Sequence, residues 1–300
     1  MKRIFNTFIL LILFLLVYNF REEIFVFYAS YCLPIEKKVS VLSPNAYYRD
    51  YDFDYVKNTN NFIPNNKEEI KNIYYTIVNS GMDNFTFYCP SDYETCVSDV
   101  NEIANDQTTI SNINNFVHPY NSFKSLKTEV ESSGKVYVEI EKVYTNEMII
   151  LIDYKINEIY KEIIKYNDTE TNKIKTIHDY IINNTKYDKE RSDNKIINYK
   201  SDNAYGVLIE NYGLCGGYTD AMMLFLEKFG VKSIKVSTDN HIWNYVNIDN
   251  KWLHLDLTWD DPISSDGKDI LDDTFFLITD KELSEIEKTE HNYDISVYKN

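Results

Sequence analysis

The sequence predicts an α+β fold. Two observations carry it. Apolar residues recur at helical spacing in several separate segments, the last of them "AMMLFLEKF" ending at Gly230. Three extended segments then follow with no helix between them, "VKSIKVST", "HIWNYVNI" and "KWLHLDLTW". Helices followed by a run of strands point to an antiparallel sheet with helices packed on it.

The elements can be justified in chain order. "MKR", the run "IFNTFILLILFLLVYNF" and then "REE" fit a secretion signal or a single membrane anchor over residues 1–30. The basic residues before the span and the acidic ones after it place the bulk of the chain outside the cytoplasm, membrane-anchored if the segment is uncleaved and otherwise secreted. Phe27 makes a cut after Ala29 a poor cleavage site, and Tyr31 argues against lipid on Cys32. Residues 34–66 are rich in Tyr and Asn and read as a spacer. In "NKEEIKNIYYTIVNSG", Ile70, Ile73, Ile77 and Val78 share one helix face that stops at or before Gly81. "NFTFYC" reads as a strand, and "SDYETCVSDVNEIAND" as a helix capped by Ser91 or Asp92. Val136, Val138 and Ile140 alternate with polar residues, as in a half-buried strand. "NEMIILIDYKINEIYKEIIKY" reads as a long amphipathic helix. His118, in "FVHPYNS", reads as a loop residue. This mixed α/β region, residues 31–165, shows no catalytic pattern. A second region, 166–300, opens with a helix starting near Thr169 or Thr171.

Charge and cysteines narrow the function. With 47 acidic and 31 basic residues the net charge is −16, a field that repels nucleic acid and anionic membrane surfaces. An apolar fraction of 44% supplies an ordinary core, so the acidity does not signal disorder. Cys32, Cys89, Cys96 and Cys215 form no C-x-x-C pair and the histidine spacing gives no zinc signature, so neither metal nor cofactor is expected. Cys89 and Cys96 in "CPSDYETC" either close a small disulfide loop or stay as two thiols.

The chemistry gathers in the second region. In "NYGLCGGY", glycines 213, 216 and 217 allow tight turns around Cys215 at a helix start. Free N–H groups and the dipole there favour the nucleophilic thiolate and can hold an oxyanion. Taken alone, the stretch reads more readily as a small cysteine packed among glycines. The strands add the rest. "DN" between "HIWNYVNI" and "KWLHLDLTW" is a two-residue hairpin turn. With Asp249 and Asn250 at its centre, Ile248 opposes Lys251, and His241 and Asp256 become diagonal neighbours on one face. That face also carries Trp243, Tyr245, Trp252 and His254; Ile242, Val246, Leu253, Leu255 and Leu257 form the other. A thiol needs a base, and the base an orienting acceptor. Cys215, His241 and Asp256 fill those roles, with His254 a rival base better placed as a neighbour of the tryptophans.

"YGVLIENYGLCGGYTDAMMLFLEKFGV" followed by "HIWNYVNIDNKWLHLDLTWDDP" closely resembles the transglutaminase-like cysteine enzyme superfamily, particularly its bacterial secreted or membrane-attached members. "IHDYIINNTKYD" resembles the lead-in to the family core, and the likeness covers roughly residues 170–295. It implies a papain-like α+β core with the cysteine helix packed on an antiparallel sheet, and the triad Cys215, His241 and Asp256. Ile242 stands where many members have Ala. The oxyanion partner is not fixed by the motif; Tyr205, Tyr218, Gly216 and Trp243 are the oxyanion or substrate-site candidates. The expected activity is hydrolysis of amide bonds in protein or peptide substrates through an acyl-enzyme. The alternatives are a protein-glutamine acyltransferase and a non-catalytic cell-surface binding module. Aromatic residues 205, 212, 218, 243 and 252 either screen the acyl-enzyme from water or belong to the core. Oligomeric state is not readable.

Overall fold

The computed structural model describes residues 17–21, 39–164, 168–262 and 271–298. The segment expected to be a signal or anchor lies outside the described residues apart from 17–21. Among the described residues no helix is long and apolar enough to cross a membrane. Residues Val39–Asn300 form one compact unit, and Met1–Lys38 a separate one. The fold of the larger unit is α+β.

Its first half is a small mixed layer. Helix α1 (Lys67–Asn79) starts where the Asn66 side chain accepts from the Glu69 N–H, and it stops at Gly81, whose φ is +67°. Strand β1 (Asn84–Tyr88) follows. Helix α2 (Cys96–Asn105) begins later than the residue pattern predicts, at Cys96 rather than near Ser91. The cause is a disulfide between Cys89 and Cys96. It holds their Cα atoms 5.7 Å apart, whereas a helix begun at Ser91 would carry Cys96 away along its axis. Helix α3 (Gln107–Asn115) is capped by Asp106. Strands β2 (Phe123–Val130) and β3 (Lys135–Lys142) complete an antiparallel sheet of order β1-β3-β2, with Val136, Val138 and Ile140 buried. Helix α4 (Asn146–Ile163) is capped by Thr145. His118 is buried, and its Nδ1 accepts the Tyr120 N–H.

Residues 39–66 are irregular, but they are not a spacer. Phe53 and Val56 enter the core, and Arg49 is buried with them. Its guanidinium donates to the carbonyls of Phe116 and Ser233, each at 3.1 Å, and pairs with Glu227. A single arginine thus ties this segment to both halves of the chain.

The second half contains helix α5 (Glu170–Asn184), capped by Thr169; a two-strand parallel pair, β4 (Lys186–Tyr187) and β5 (Tyr212–Gly213); and the short helix α6 (Lys189–Asn194). Then come a π-helical turn (Gly206–Glu210), helix α7 (Cys215–Phe229) and strands β6 (Ser233–Ser237), β7 (Ile242–Ile248), β8 (Lys251–Leu255) and β9 (Phe276–Ile278). These four strands form an antiparallel sheet in sequential order. Helices α8 (Asp280–Ile286) and α9 (Ile295–Tyr298) close the chain. The β7–β8 register is the one the "DN" turn requires: Ile248 pairs with Lys251 and Asn244 with Leu255. Asp249 and Asn250 both have positive φ, at 50° and 61°, as a type I′ turn demands.

Both faces of this sheet are buried. Ile234, Val236, Trp243 and Tyr245 join a core with Ile73, Phe85, Phe87 and Phe116 from the first half. Val246 and Leu255 join a second core with Met222 and Phe225 of α7 and with α4 and α5. The boundary expected at residue 165 therefore does not separate two cores, because the first half covers one face of the second half's sheet. Ile242 and Leu253, expected in the core, are only half-buried.

Candidate active site

Cys215 is the first residue of α7 and is half-buried. The N–H groups of the first helical turn have no partner within the helix, and they surround the sulfur's end of it. The neighbouring glycines serve a different purpose from the one their sequence pattern predicts. Gly213, Gly216 and Gly217 all lack positive φ; Asn211, at +60°, makes the left-handed turn instead. A Cβ on Gly217 would lie 2.3 Å from the Ser201 carbonyl oxygen, and one on Gly216 would lie 2.8 Å from that of Asp202. These glycines let the helix start press against the 201–203 backbone, where the Leu214 N–H donates to Ser201 O at 2.7 Å.

Thr219 sets this helix against the sheet. Its hydroxyl lies 2.7 Å from Cys215 O and 2.9 Å from Ile242 O, and its own carbonyl accepts from Asn244 Nδ2 at 3.0 Å. The first turn of α7 is thereby fixed beside the start of β7, where His241 stands. His241 and Asp256 lie at the adjacent ends of β7 and β8. His241 Nε2 is 2.5 Å from Asp256 Oδ2. Asp256 Oδ1 accepts the backbone N–H groups of Thr258 and Trp259, at 2.9 and 3.3 Å. With Nε2 committed to Asp256, Nδ1 is the ring nitrogen left for the Cys215 sulfur, whose interaction with the ring favours its charged form. Burial works against a charged His241, but the Asp256 carboxylate and the Cys215 sulfur outweigh it and hold its pKa at about 10. Burial would raise the Asp256 carboxyl, but His241 and a second imidazole, His291, keep it well below the usual carboxylate range.

That second imidazole is absent from the sequence reading. His291 Nε2 is 2.8 Å from the same Asp256 Oδ2, and its Nδ1 is 2.9 Å from Glu287 Oε2. The visible trace is the spacing of four between Glu287 and His291, which usually marks a helix face. Here α8 has already ended, so the pair is made by tertiary folding. His241, Asp256 and His291 place three metal-type donor atoms within 4.8 Å. Those atoms already bond to one another, with both histidines directed at one carboxylate oxygen.

The remaining residues singled out from the sequence are placed elsewhere. His254 accepts from Trp243 Nε1 at 2.9 Å and meets Asp280 through Nε2 at 2.9 Å, so it is a packed structural histidine. Trp243, which stacks on His241 at 5.5 Å, thereby has its one donor spent. The Tyr218 hydroxyl donates to Asp261 from a buried position. The ring of Tyr205 lies under Lys200. None of these three lines the two clefts that flank Cys215. Only Gly216, through its N–H in the first turn, stays at the site. Of the other aromatics, Tyr212 stacks on Tyr199 and Trp252 on Tyr245.

Two clefts meet at Cys215, His241 and Asn240. One, of about 540 Å³, has Gln107, Ser111 and Asn114 of α3 and Ser125 of β2 on its far wall. The other, of about 440 Å³, is walled by Tyr187, Trp259 and Glu290. A chain laid across the sulfur would pass from one to the other.

The family model of the transglutaminase-like superfamily matches residues 157–257, and the chain carries a transglutaminase-like domain there. Cys215, His241 and Asp256 fall inside the match; His291 and the α3–β2 wall fall outside. A solved structure of a TGase is 16% identical, with 46% of this chain and 44% of that chain covered and a TM-score of 0.34. The chain therefore spans less than half the length of that protein. Nothing matches among the curated proteins.

Proposed function

We propose that this protein is an extracytoplasmic cysteine enzyme that hydrolyses amide bonds of proteins or peptides. The observation that carries the reading is the juxtaposition of Cys215 at a helix start with a buried His241–Asp256 pair, with Cys215 and His241 at the meeting point of two clefts. In this reading His241 takes the Cys215 proton, and the sulfur attacks the substrate carbonyl. The oxyanion forms at the first-turn N–H groups, with Gly216 N–H among them. The C–N bond breaks as His241 returns the proton to the departing amine. Water then attacks the thioester, giving up a proton to His241, and the acid leaves with the thiol restored. None of the five aromatics at 205, 212, 218, 243 and 252 lines either cleft, which favours hydrolysis over transfer to an amine; Tyr187 and Trp259, on the wall of one cleft, are the rings nearest the acyl group. The Cys89–Cys96 bond supports an oxidising compartment, as does the apolar N-terminal run; cell fractionation of the full chain tests this.

The chemistry is tested by supplying a glutamine-containing peptide with and without a primary amine and identifying products by mass. Free acid in both cases supports hydrolysis, whereas an amine adduct makes the protein an acyltransferase. If Cys215 also alkylates no faster than the same cysteine in the unfolded chain, the domain is a binding module and the reading fails.

A further inference from the structure

His291 and Glu287 stand behind the proposed triad, and nothing in the reaction as written uses them. The His291 side chain is fully buried. It faces the carboxylate of Asp256 on one nitrogen and that of Glu287 on the other, at 2.8 and 2.9 Å. Glu287 is itself held in place: it accepts the backbone N–H groups of Thr289, Glu290 and His291 at 2.7, 3.0 and 2.9 Å. An imidazole between two ionised carboxylates satisfies both only by donating from both nitrogens, which requires two ring protons and a positive charge. Among the other charged or titratable groups around it, Lys288, Asp280 and Tyr293 line a cleft with it and Glu287. The His241 ring lies 5.1 Å away, with Cys215 beyond it, and His254 with its partner Asp280 lies on the far side of Trp243. The remaining walls are the rings of Trp243, Trp259 and Phe275, the last stacked on His291 at 5.2 Å.

We propose that His291 is a positioning residue, a cationic second histidine that fixes Asp256 Oδ2 for His241 and offsets part of its negative charge. The inference rests on the reading of Cys215 and His241 as the reacting pair. Its consequence concerns proton affinity. The Asp256 carboxylate gives His241 an excess proton affinity over the free imidazole. A like charge 5.1 Å from that ring opposes the excess. Removing the charge while keeping one hydrogen bond therefore favours the protonated forms of both Cys215 and His241. Since the two titrate as a pair, both limbs of any rate–pH profile move upward together.

The test uses the full chain and iodoacetamide, with the alkylation rate of Cys215 followed from pH 4 to 11. His291→Gln is expected to move both limbs upward by about 1 pH unit, and Glu287→Gln to move them in the same direction. Glu287→Gln also covers the case in which His291→Gln does not fold. Nitrogen NMR of ¹⁵N-histidine-labelled protein reads the charge directly. His291, assigned by the resonance lost in His291→Gln, should show both ring nitrogens protonated at pH 7. His254, whose Nδ1 accepts from Trp243, should show one bare nitrogen. Unmoved limbs in both variants, or a bare nitrogen on His291 at pH 7, overturn the proposal. Slow wild-type labelling that His241→Ala leaves unchanged would sink the reading of the triad instead, and the nitrogen spectra would still decide the charge on His291.

Discussion

Asp256→Asn is the sharpest perturbation of the proposed chemistry. The rise of His241 from 6.5 to about 10 amounts to roughly 5 kcal/mol in favour of the imidazolium, supplied by Asp256 and the Cys215 sulfur against burial. Asparagine removes the carboxylate and leaves the burial, so the ring's proton affinity should fall below its ordinary value. Geometry adds a second effect. If the amide nitrogen of the substituted side chain takes the place of Oδ2, it can only donate to His241 Nε2, and the ring proton must move to Nδ1, the nitrogen facing Cys215. A protonated neutral Nδ1 cannot accept the thiol's proton. Even if only half of that roughly 5 kcal/mol bears on the thiolate, the fall in thiolate-dependent rate is on the order of a hundredfold. The assay is second-order alkylation of Cys215 by iodoacetamide in the wild type, Asp256→Asn and His241→Ala, with thermal melts to verify folding. Folded Asp256→Asn protein that labels within threefold of wild type would refute the argument, because the carboxylate would then contribute nothing to the state of the pair.

Three further outcomes follow from the packing. Gly217→Ala should destabilise by about 2 kcal/mol or more, since its Cβ would meet the Ser201 carbonyl at 2.3 Å, whereas Gly230→Ala, strained at φ +76° in open space, should cost about 1 kcal/mol; urea titration of both variants checks the order. Lys235→Met leaves Asp220 buried without its cation and should cost about 3 kcal/mol, part of it recovered by adding Asp220→Asn, as measured by a double-mutant cycle in urea. Asp280 is held at about 2, by the hydrogen bond from His254 first and then, against burial, by those from Tyr293 and Tyr245. Its folded pKa lies below its unfolded one, so its contribution is present above pH 4 and is lost as pH falls through about 2; the urea midpoint should drop between pH 5 and 2, more in wild type than in Asp280→Asn.

Much of the site was legible because it depends on local rules. The two positive-φ residues of the "DN" turn set the β7–β8 register, and the register alone brings His241 to Asp256. Gly230 marks the end of α7 and Thr169 the start of α5 through ordinary capping chemistry. What was not legible depends on tertiary partners. Strand β2 was missed because "FKSLKTEV" puts mostly polar residues on its exposed face and only partly buried ones on the other. Arg49 reads as one charge in a polar stretch until its carbonyl partners from residues 116 and 233 are in place. The glycines around Cys215 read as turn formers, yet their function is close approach, which only the opposing 201–203 backbone reveals. His291 and Glu287 gain meaning from Asp256, some thirty residues earlier.

The distribution of these parts between the matched domain and its flanks bears on specificity. Residues 157–257 contain the sulfur, its base and the carboxylate, and Thr219 and Asn244 that lock α7 onto β7. That set holds every residue of the proposed reacting centre, but it leaves one face of the sheet uncovered. The first half covers it, packing Phe85, Phe87 and Phe116 near Trp243 and Tyr245. In doing so it brings α3 and β2 over one side of Cys215, where Gln107, Ser111, Asn114 and Ser125 form a wall of amides and hydroxyls. Burial of the sheet and construction of the cleft are therefore one packing event. Substitutions on this wall, such as Asn114→Leu, should alter which peptides are accepted while leaving iodoacetamide labelling of Cys215 near the wild-type rate. A parallel loss of labelling would instead place the wall in the folding of the reacting centre.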